Sequence, residues 1–216
     1  GLKNTAPGRS GVPAAAWKGL LKNKITEEAM LQVMVESWEA EKVPEEWTKF
    51  HMCVLPKKGD LKNVANWRGI SMAETLSKVY STIMKKRLEQ YYDTIAPQYC
   101  NGFRRGRGRN DSIYALKELC RKRKAKGLDS YGIYFDLIKC FDELARENIW
   151  ESMRVSGVPE KMIRVVMSTL KNSECEMHVS GVQKMVQMKE GSGQGTTMGP
   201  ILCNFFFLPL LQEFEK

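Results

Sequence analysis

The sequence is poor in histidine and has no paired cysteines. Only two histidines are present, and the six cysteines are scattered without a Cys-x-x-Cys pair or a Cys/His metal-ligand spacing. These absences argue against the common types of zinc site. A chain without a disulfide framework is typical of a reducing compartment, so we expect free thiols and a nuclear or cytoplasmic setting.

The sequence also lacks a hydrophobic run long enough to cross a bilayer. The longest apolar stretch, residues 200–211, is interrupted by Asn204 and Pro209, whereas a spanning helix needs about 20 apolar residues. No signal peptide is visible, although the chain starts abruptly at Gly1 and an upstream targeting segment could be missing. We therefore predict no membrane partner.

What the chain does have is material for a core and an excess of positive charge. Its 216 residues are 43% hydrophobic, enough for one domain or two closely packed subdomains. Lys and Arg outnumber Asp and Glu by 34 to 25, which gives a net charge of +9 and suits a polyanion such as nucleic acid. The basic residues cluster at Arg104, Arg105, Arg107 and Arg109, and again at 121–126, a run that is as easily a solvated helix face as a binding patch.

Hydrophobic periodicity predicts a helix-rich α/β chain with few strands. Residues 1–25 are expected to form an extended arm, and strands are expected at 50–55, at 131–136 and in a hairpin of 176–180 with 184–189 around Gly181. Helices are predicted at 27–41, from a capping box of Ser71 and Glu74 onward, from 144 to Gly157, and from Pro159 onward. A further helix is predicted from Asn110 or Asp111 to Gly127, with Ile113, Leu116 and Cys120 facing inward. The last predicted helix starts at Pro200 and is kinked or broken at Pro209.

The predicted strand at 131–136 ends in an aspartate. Tyr131, Ile133 and Phe135 alternate with Gly132, Tyr134 and Asp136, and Phe141-Asp142 follows within about one helical turn. A carboxylate at the tip of a buried strand can hold a hard divalent cation in a cleft. A lone aspartate at such a position is often a satisfied strand-end cap, so the flanking motifs decide between the two interpretations.

Those flanking motifs resemble the reverse transcriptase domain of non-LTR (LINE-type) retrotransposons. The resemblance covers essentially the whole chain, because motifs similar to those of the family occur in the family's order at ordinary spacing. They are Ala6-Pro7-Gly8 with Gly11, Leu55–Asp60 with Asn66–Ser71, Gly102–Arg107, Phe135-Asp136 with Lys139–Asp142 (motif A), and Gly191 with Gln194-Gly195 and Pro200–Asn204 (motif B). Ser10, Cys140, Gly199 and Cys203 depart from the family's usual residues.

The resemblance implies a right-hand polymerase and its chemistry. A DNA primer 3′-hydroxyl would attack the α-phosphate of a deoxynucleotide on an RNA template, with two Mg²⁺ ions, or Mn²⁺ as an alternative, stabilising the entering and leaving oxygens. By the same resemblance Asp136 is the candidate catalytic residue and metal ligand, beside the main-chain carbonyl of Leu137.

The resemblance also assigns roles around the metal. Arg104, Arg105, Arg107 and Arg109 would contact template phosphates without reading sequence. The nucleotide-binding candidates are Lys57, Lys58 and Arg68 for the triphosphate, Phe141 as a gate against the ribose 2′-hydroxyl, and Gln194 and Gly195 against the nascent base pair. Lys58 could instead belong to a solvated loop, and Phe141 could instead be a core residue.

The domain organisation implied is fingers and a partial palm, without a thumb. Residues 1–97 would form the fingers with an amino-terminal extension, and 98–142 a palm segment carrying motif A. Residues 143–192 would return to the fingers, and 193–216 would be an incomplete palm segment carrying motif B. The remaining palm and the thumb of the complete enzyme are therefore expected partners.

One family feature is absent from residues 1–216. These enzymes carry an aromatic-x-Asp-Asp hairpin after motif B, yet no aspartate follows Asp142 here. We therefore expect this chain to be inactive by itself and the complete protein to be an RNA-directed DNA polymerase. The alternatives are a non-catalytic, polymerase-like RNA-binding module, a group II intron maturase-type enzyme, and an interaction scaffold in which the apolar 200–211 helix is exposed and drives self-association.

Overall fold

The fold combines a four-stranded sheet with a bundle of helices, and the computed structural model describes residues 6–179 and 181–214. In chain order the strands are β1 (Lys49–Pro56), β2 (Trp67–Met72), β3 (Glu174–Val179) and β4 (Val182–Gln187). The helices are α1 (Ala14–Leu20), α2 (Lys24–Glu39), α3 (Thr75–Ile95), α4 (Arg109–Ala125), α5 (Arg146–Val155), α6 (Glu160–Leu170) and α7 (Gly199–Glu213), with 3₁₀ turns at Glu45–Thr48 and Val64–Asn66. None of the described helices is both long and apolar enough to cross a membrane.

The sheet joins two antiparallel pairs through one parallel contact. Its strand order is β2-β1-β3-β4. In the antiparallel pairs Cys53 lies opposite Ile70, and Cys175 lies opposite Val186. At the parallel contact Phe50 pairs with Cys175, and both side chains are buried against Ala73. Strands that are far apart in the chain therefore form one surface.

The main core lies between α3, α5, α6 and α7. Helix α3 contributes Tyr80, Met84, Leu88 and Tyr92, which recur every four residues along one face. The other helices contribute Ile149, Met153, Ile163, Val166, Ile201, Leu202, Phe205 and Leu208. The α7 residues among them show that the expectation of an exposed apolar helix at 200–211 was wrong as far as Leu208, because that part packs inside the bundle, whereas Leu210 is exposed. It also continues through Pro209 without ending.

The amino-terminal segment is docked on the sheet and is partly helical. Residues 14–20 form α1, so the prediction of an extended arm over 1–25 was wrong for that part, and residues 1–5 lie outside the described region. Ser10 donates from its backbone N and its Oγ to the Glu74 carboxylate at 2.7 and 2.6 Å. This contact explains why the predicted capping box of Ser71 and Glu74 does not form, since the Glu74 carboxylate is bound by Ser10 and Ser71 belongs to β2.

The segment from 109 to 138 departs most from expectation. Helix α4 forms and is followed by Gly127 at φ +69°, as predicted, with the Asp111 carboxylate capping the Gly108 N–H at 2.7 Å. No α4 residue is buried, so the predicted inward face of Ile113, Leu116 and Cys120 was wrong.

The strand predicted at 131–136 is also absent. Tyr131 and Phe135 are 93% and 86% exposed. Alternation makes a segment suited to a sheet, but a strand forms only when a neighbour completes its hydrogen bonds. The described residues supply no such neighbour.

Other predicted elements are confirmed within a few residues. Strand β1, the helices beginning near Arg146 and Glu160, and the hairpin around Gly181 lie where the patterns put them. Ser180 of that hairpin lies outside the described residues. These elements matter here because they bring the turn at 138–142 (the motif A turn), β2 and the start of α7 to one place.

Candidate active site

The site is organised by the glycine-rich loop at 191–195. The N–H groups of Gly191 and Ser192 donate to the carbonyls of Leu144 and Phe141, each at 2.9 Å. Gly191 has φ +72°, and a Cβ there would lie 2.5 Å from the Phe141 carbonyl oxygen. Only a residue without a side chain permits this approach, so motif B lies directly against the motif A turn at 138–142.

The other side of the loop packs on β2. The Ser71 N–H donates to the Gln194 carbonyl at 2.7 Å. Gly195 has φ +92°, and a Cβ there would meet Ile70 Cγ2 at 2.9 Å. The loop is therefore fixed between β2 and the motif A turn, and three of the resemblance's motifs converge on it.

An open pocket of about 330 Å³ lies at this junction. Its lining comes from β2, the motif A turn, the loop and the first residues of α7: Arg68, Phe141, Gly193, Gln194, Gly195, Thr196, Gly199 and Pro200. Four of the six predicted nucleotide-binding residues are thus brought together, namely Arg68, Phe141, Gln194 and Gly195. An arginine, an aromatic ring and glycine backbone that line one pocket can bind a phosphorylated, planar ligand.

The two remaining nucleotide candidates, Lys57 and Lys58, are exposed on the loop beside β1 and do not line the pocket. That loop is held by its own hydrogen bonds, including Lys57 N–H to Asn66 O at 2.7 Å and Lys57 Nζ to Ala65 O at 3.3 Å.

The residue after Phe141, Asp142, carries a carboxyl that sequence reasoning gave no role. Loss of hydration by partial burial raises the pKa of the Asp142 carboxyl, and the charges of Lys139 and Lys57 partly oppose that rise. Asp142 remains solvent-accessible, so its carboxyl can still exchange protons with water. Asp142 follows Phe141 in the chain and lies within electrostatic reach of Lys57, on the loop beside β1.

Asp136, the predicted catalytic residue, stands apart from this pocket. Its carboxylate is exposed, and its Oδ1 accepts a hydrogen bond from the Leu137 N–H at 3.1 Å. Across the described residues no group of three or more His, Cys, Asp or Glu side chains could hold a metal ion. One carboxylate leaves a Mg²⁺ ion largely hydrated, so these residues alone do not fit a polymerase metal site.

The predicted nucleic-acid contacts separate into two pairs. The Arg104 side chain is 6% exposed and binds Asp93 Oδ1 at 2.8 Å and the carbonyls of Pro97 and Cys100, so it serves the fold in this structure. Arg107 binds the carbonyl and Oε1 of Gln98 at 2.5 and 2.6 Å. Arg105 and Arg109 are exposed and are the pair available to phosphate.

Sequence reasoning missed Arg146, a half-buried arginine that contacts the glycine-rich loop. Arg146 donates to the carbonyls of Leu170, Met188 and Gly191 at 2.6, 2.8 and 2.9 Å, and to Ser173 Oγ and Glu190 O at 3.3 Å. Burial lowers the pKa of its guanidinium. The sequence carried one signal of this role. Arg146 lies in the first turn of α5, where a positive charge interacts unfavourably with the helix dipole, so its presence there indicates some other interaction.

Phe103 is a second missed residue. It has φ +56°, which is unusual for an aromatic residue, and its ring meets Phe141 edge-on at 6.1 Å. Asn204 on α7 donates to the neighbouring Gly102 carbonyl at 3.0 Å. The Gly102–Arg107 motif therefore contacts both motif A and motif B.

Comparison with known proteins gives a consistent result. The family described as reverse transcriptase (RNA-dependent DNA polymerase) matches residues 55–216. The chain is 27% identical over 176 residues to the Pol polyprotein of a type-1 R2 retrotransposable element of Popillia japonica, covering 81% of this chain and 24% of that protein. It is 24% identical over 164 residues to the type-2 R2DM Pol polyprotein of Drosophila melanogaster, covering 75% and 15%.

The fold is similar to that of a solved telomerase structure. The apo telomerase from Candida tropicalis, truncated from its C-terminal domain, superposes with a TM-score of 0.54 at 16% identity, over 94% of this chain and 45% of that one. The chain spans a quarter or less of the length of the R2 proteins cited here. A family match over three quarters of the chain, together with the two R2 relatives, shows that it belongs to the reverse transcriptase family and is a domain of the non-LTR retrotransposon type.

Proposed function

We propose that this chain supplies the fingers and part of the palm of a retroelement RNA-directed DNA polymerase, with the 330 Å³ pocket as the site of the incoming deoxynucleotide. The observation that carries the proposal is the convergence of Arg68, Phe141, Gln194 and Gly195 on that pocket from three separate segments. RNA template and DNA primer would lie along the basic surface that carries the exposed Arg105 and Arg109.

Each lining residue has a task within this proposal. The planar Arg68 fork pairs with phosphate oxygens, and Lys57 and Lys58 add charge from the neighbouring loop. The Phe141 ring takes the space that a ribose 2′-hydroxyl would need. Gly195 and the Gln194 backbone allow close approach of the nascent pair.

The metal chemistry is part of the proposal for the complete enzyme. Two Mg²⁺ ions, or Mn²⁺, would stabilise the attacking and leaving oxygens of the phosphoryl transfer. Asp136 would be one carboxylate ligand with the Leu137 carbonyl beside it, and the further carboxylates would come from outside residues 1–216. The proposed domain division is supported by the sheet, which joins strands from 49–72 with strands from 174–187.

The test is RNA-templated primer extension by the full-length protein. Asp136→Asn should abolish extension. Phe141→Ala should admit ribonucleotides, and the efficiency of their incorporation relative to deoxynucleotides should rise by about 10- to 200-fold, the range for one packing contact in a pocket. Arg121→Ala is a matched control, because Arg121 pairs with Glu118 on exposed α4. Full extension by Asp136→Asn would overturn the assignment.

The 216-residue chain should give no extension under the same conditions, because a single carboxylate cannot organise two metal ions. Mg²⁺-dependent extension by the purified chain would contradict this.

A second function is favoured by one observation, the lack of a metal-binding cluster among the described residues. It is a non-catalytic RNA-binding module on a polymerase scaffold. That function predicts salt-dependent RNA binding by the full-length protein without extension, so the same assay separates the two.

A further inference from the structure

Two cysteines from distant parts of the chain meet beside the pocket. Cys140 lies in the motif A turn and Cys203 lies on α7, and their sulfur atoms are 3.5 Å apart. Both thiols are free. Phe141, which lines the pocket, follows Cys140 in the chain. Gly199 and Pro200, which also line it, lie about one helical turn before Cys203, so each cysteine is on an element that forms a wall of the pocket.

We propose that Cys140 and Cys203 form an oxidation site that a two-electron oxidant, such as hydrogen peroxide, converts into an intramolecular disulfide joining the motif A turn to α7. The first step forms a sulfenic acid on one thiol as the peroxide O–O bond breaks and one water leaves. The second thiol then attacks that sulfur, the S–O bond breaks, and a second water leaves. Two electrons and two protons pass from the thiols to the peroxide.

The surroundings assign an order to the two thiols. Cys140 is partly exposed in a turn, whereas Cys203 is 7% exposed within a helix. Burial and the contact with Cys140 raise the pKa of the Cys203 thiol to about 12, which makes it a poor first nucleophile. Peroxide therefore reaches Cys140 first, and Cys203 resolves the sulfenic acid that forms next to it.

The bond requires a small movement with a consequence for the pocket. Disulfide sulfurs lie about 2 Å apart, so the pair must close by about 1.5 Å. The turn is the element that can yield, because α7 is packed into the core. Phe141 would move with Cys140. If the pocket is the nucleotide site proposed above, oxidation changes the fit of the sugar and the extension rate falls.

The test is peroxide treatment of the folded 216-residue chain, alkylation of the remaining thiols in denaturant, and peptide mass mapping. We expect loss of two of the six thiols, one cross-linked pair containing Cys140 and Cys203, and full recovery with dithiothreitol. Cys140→Ala and Cys203→Ala should each abolish the cross-link. The matched control Cys120→Ser, at an exposed position on α4, should retain it.

Two outcomes would overturn the proposal. One is a mixture of pairings or cross-links between chains through Cys120. The other is further oxidation of Cys140 while Cys203 stays a free thiol. A second measurement uses the full-length polymerase, where peroxide should cause a loss of extension that dithiothreitol reverses and that Cys140→Ala prevents. If the untreated protein shows no extension, the proposed function fails, while the mapping still decides the disulfide.

Discussion

At the scale of single residues, the site depends on two glycines whose neighbours leave no room for a side chain. Gly191 and Gly195 let the motif B loop touch the motif A turn on one side and β2 on the other. A Cβ at either position would meet neighbouring atoms below 3 Å. The loop conformation therefore follows from its glycines, and the pocket follows from the loop.

Gly191→Ala tests this dependence against a matched glycine. Gly106 has almost the same φ, +71° against +72°, but a Cβ there meets nothing within 4 Å. Gly106→Ala should cost about 1–2 kcal/mol for the left-handed backbone alone. Gly191→Ala adds a backbone clash of about 1–3 kcal/mol, so urea unfolding should show the larger loss. Equal losses would mean that the loop relaxes freely.

Asp142 predicts a pH dependence. Because its pKa in the folded protein is raised, the ionised carboxyl opposes folding, and that penalty is complete above the folded pKa. Asp142→Asn should therefore raise the melting temperature at neutral pH. The gain should shrink as pH falls and vanish below about pH 4, the ordinary Asp range. A gain that is constant over pH would show that charge is not the cause.

Sequence motifs could predict the residues that line the pocket, but not the residues that hold the surrounding segments in place. Arg68, Phe141, Gln194 and Gly195 occur in recognisable strings. Arg146 acts through carbonyls of two remote segments, at Leu170 and at 188–191, and the Cys140–Cys203 contact joins positions 63 residues apart. Such contacts depend on tertiary packing, and no local pattern encodes them.

At the scale of elements, two stretches with strand-like patterns have opposite fates. Residues 174–187 contain a turn that folds the chain back, so β3 and β4 satisfy each other's hydrogen bonds. Residues 131–136 have no adjacent complement and stay irregular and exposed. The exposed apolar face of α4 follows the same logic. Patterning predicts which face an element can bury, whereas a partner decides whether it does.

Arg146 is the test at this scale, because it connects α5 to the end of α6 and to residues 188–191, which follow β4. Arg146→Met would leave several carbonyls without donors, and the free energy of unfolding should fall by about 3 kcal/mol or more. Arg146→Lys should recover little, since an ammonium cannot reproduce the guanidinium fork.

The control is Arg154→Met on the same helix, where the guanidinium is exposed and pairs with Glu151 and Glu160. It should change urea unfolding very little. A similar loss in both variants would assign no special role to Arg146.

At the scale of the whole molecule, the excess of positive charge should direct nucleic acid to one place. Arg105→Ala with Arg109→Ala should weaken binding of an RNA–DNA hybrid and reduce the slope of log affinity against log salt by about 2 if each arginine contacts one phosphate.

Arg154→Ala with Arg164→Ala removes the same charge from residues that pair with Glu160 and Glu41. This control should leave the slope nearly unchanged in salt titrations followed by fluorescence anisotropy. Equal slopes for the two double variants would indicate a diffuse charge effect.

The parallel contact between β1 and β3 also has a consequence during synthesis of the chain. β1 leaves the ribosome long before its partner exists, since the stretch from Pro56 to Glu174 takes on the order of ten seconds to translate. Throughout that interval one edge of β1 is open to other nascent chains or to a chaperone. The completed hairpin of β3 and β4 ends this vulnerability, which makes the rate of translation between the two strands a determinant of yield.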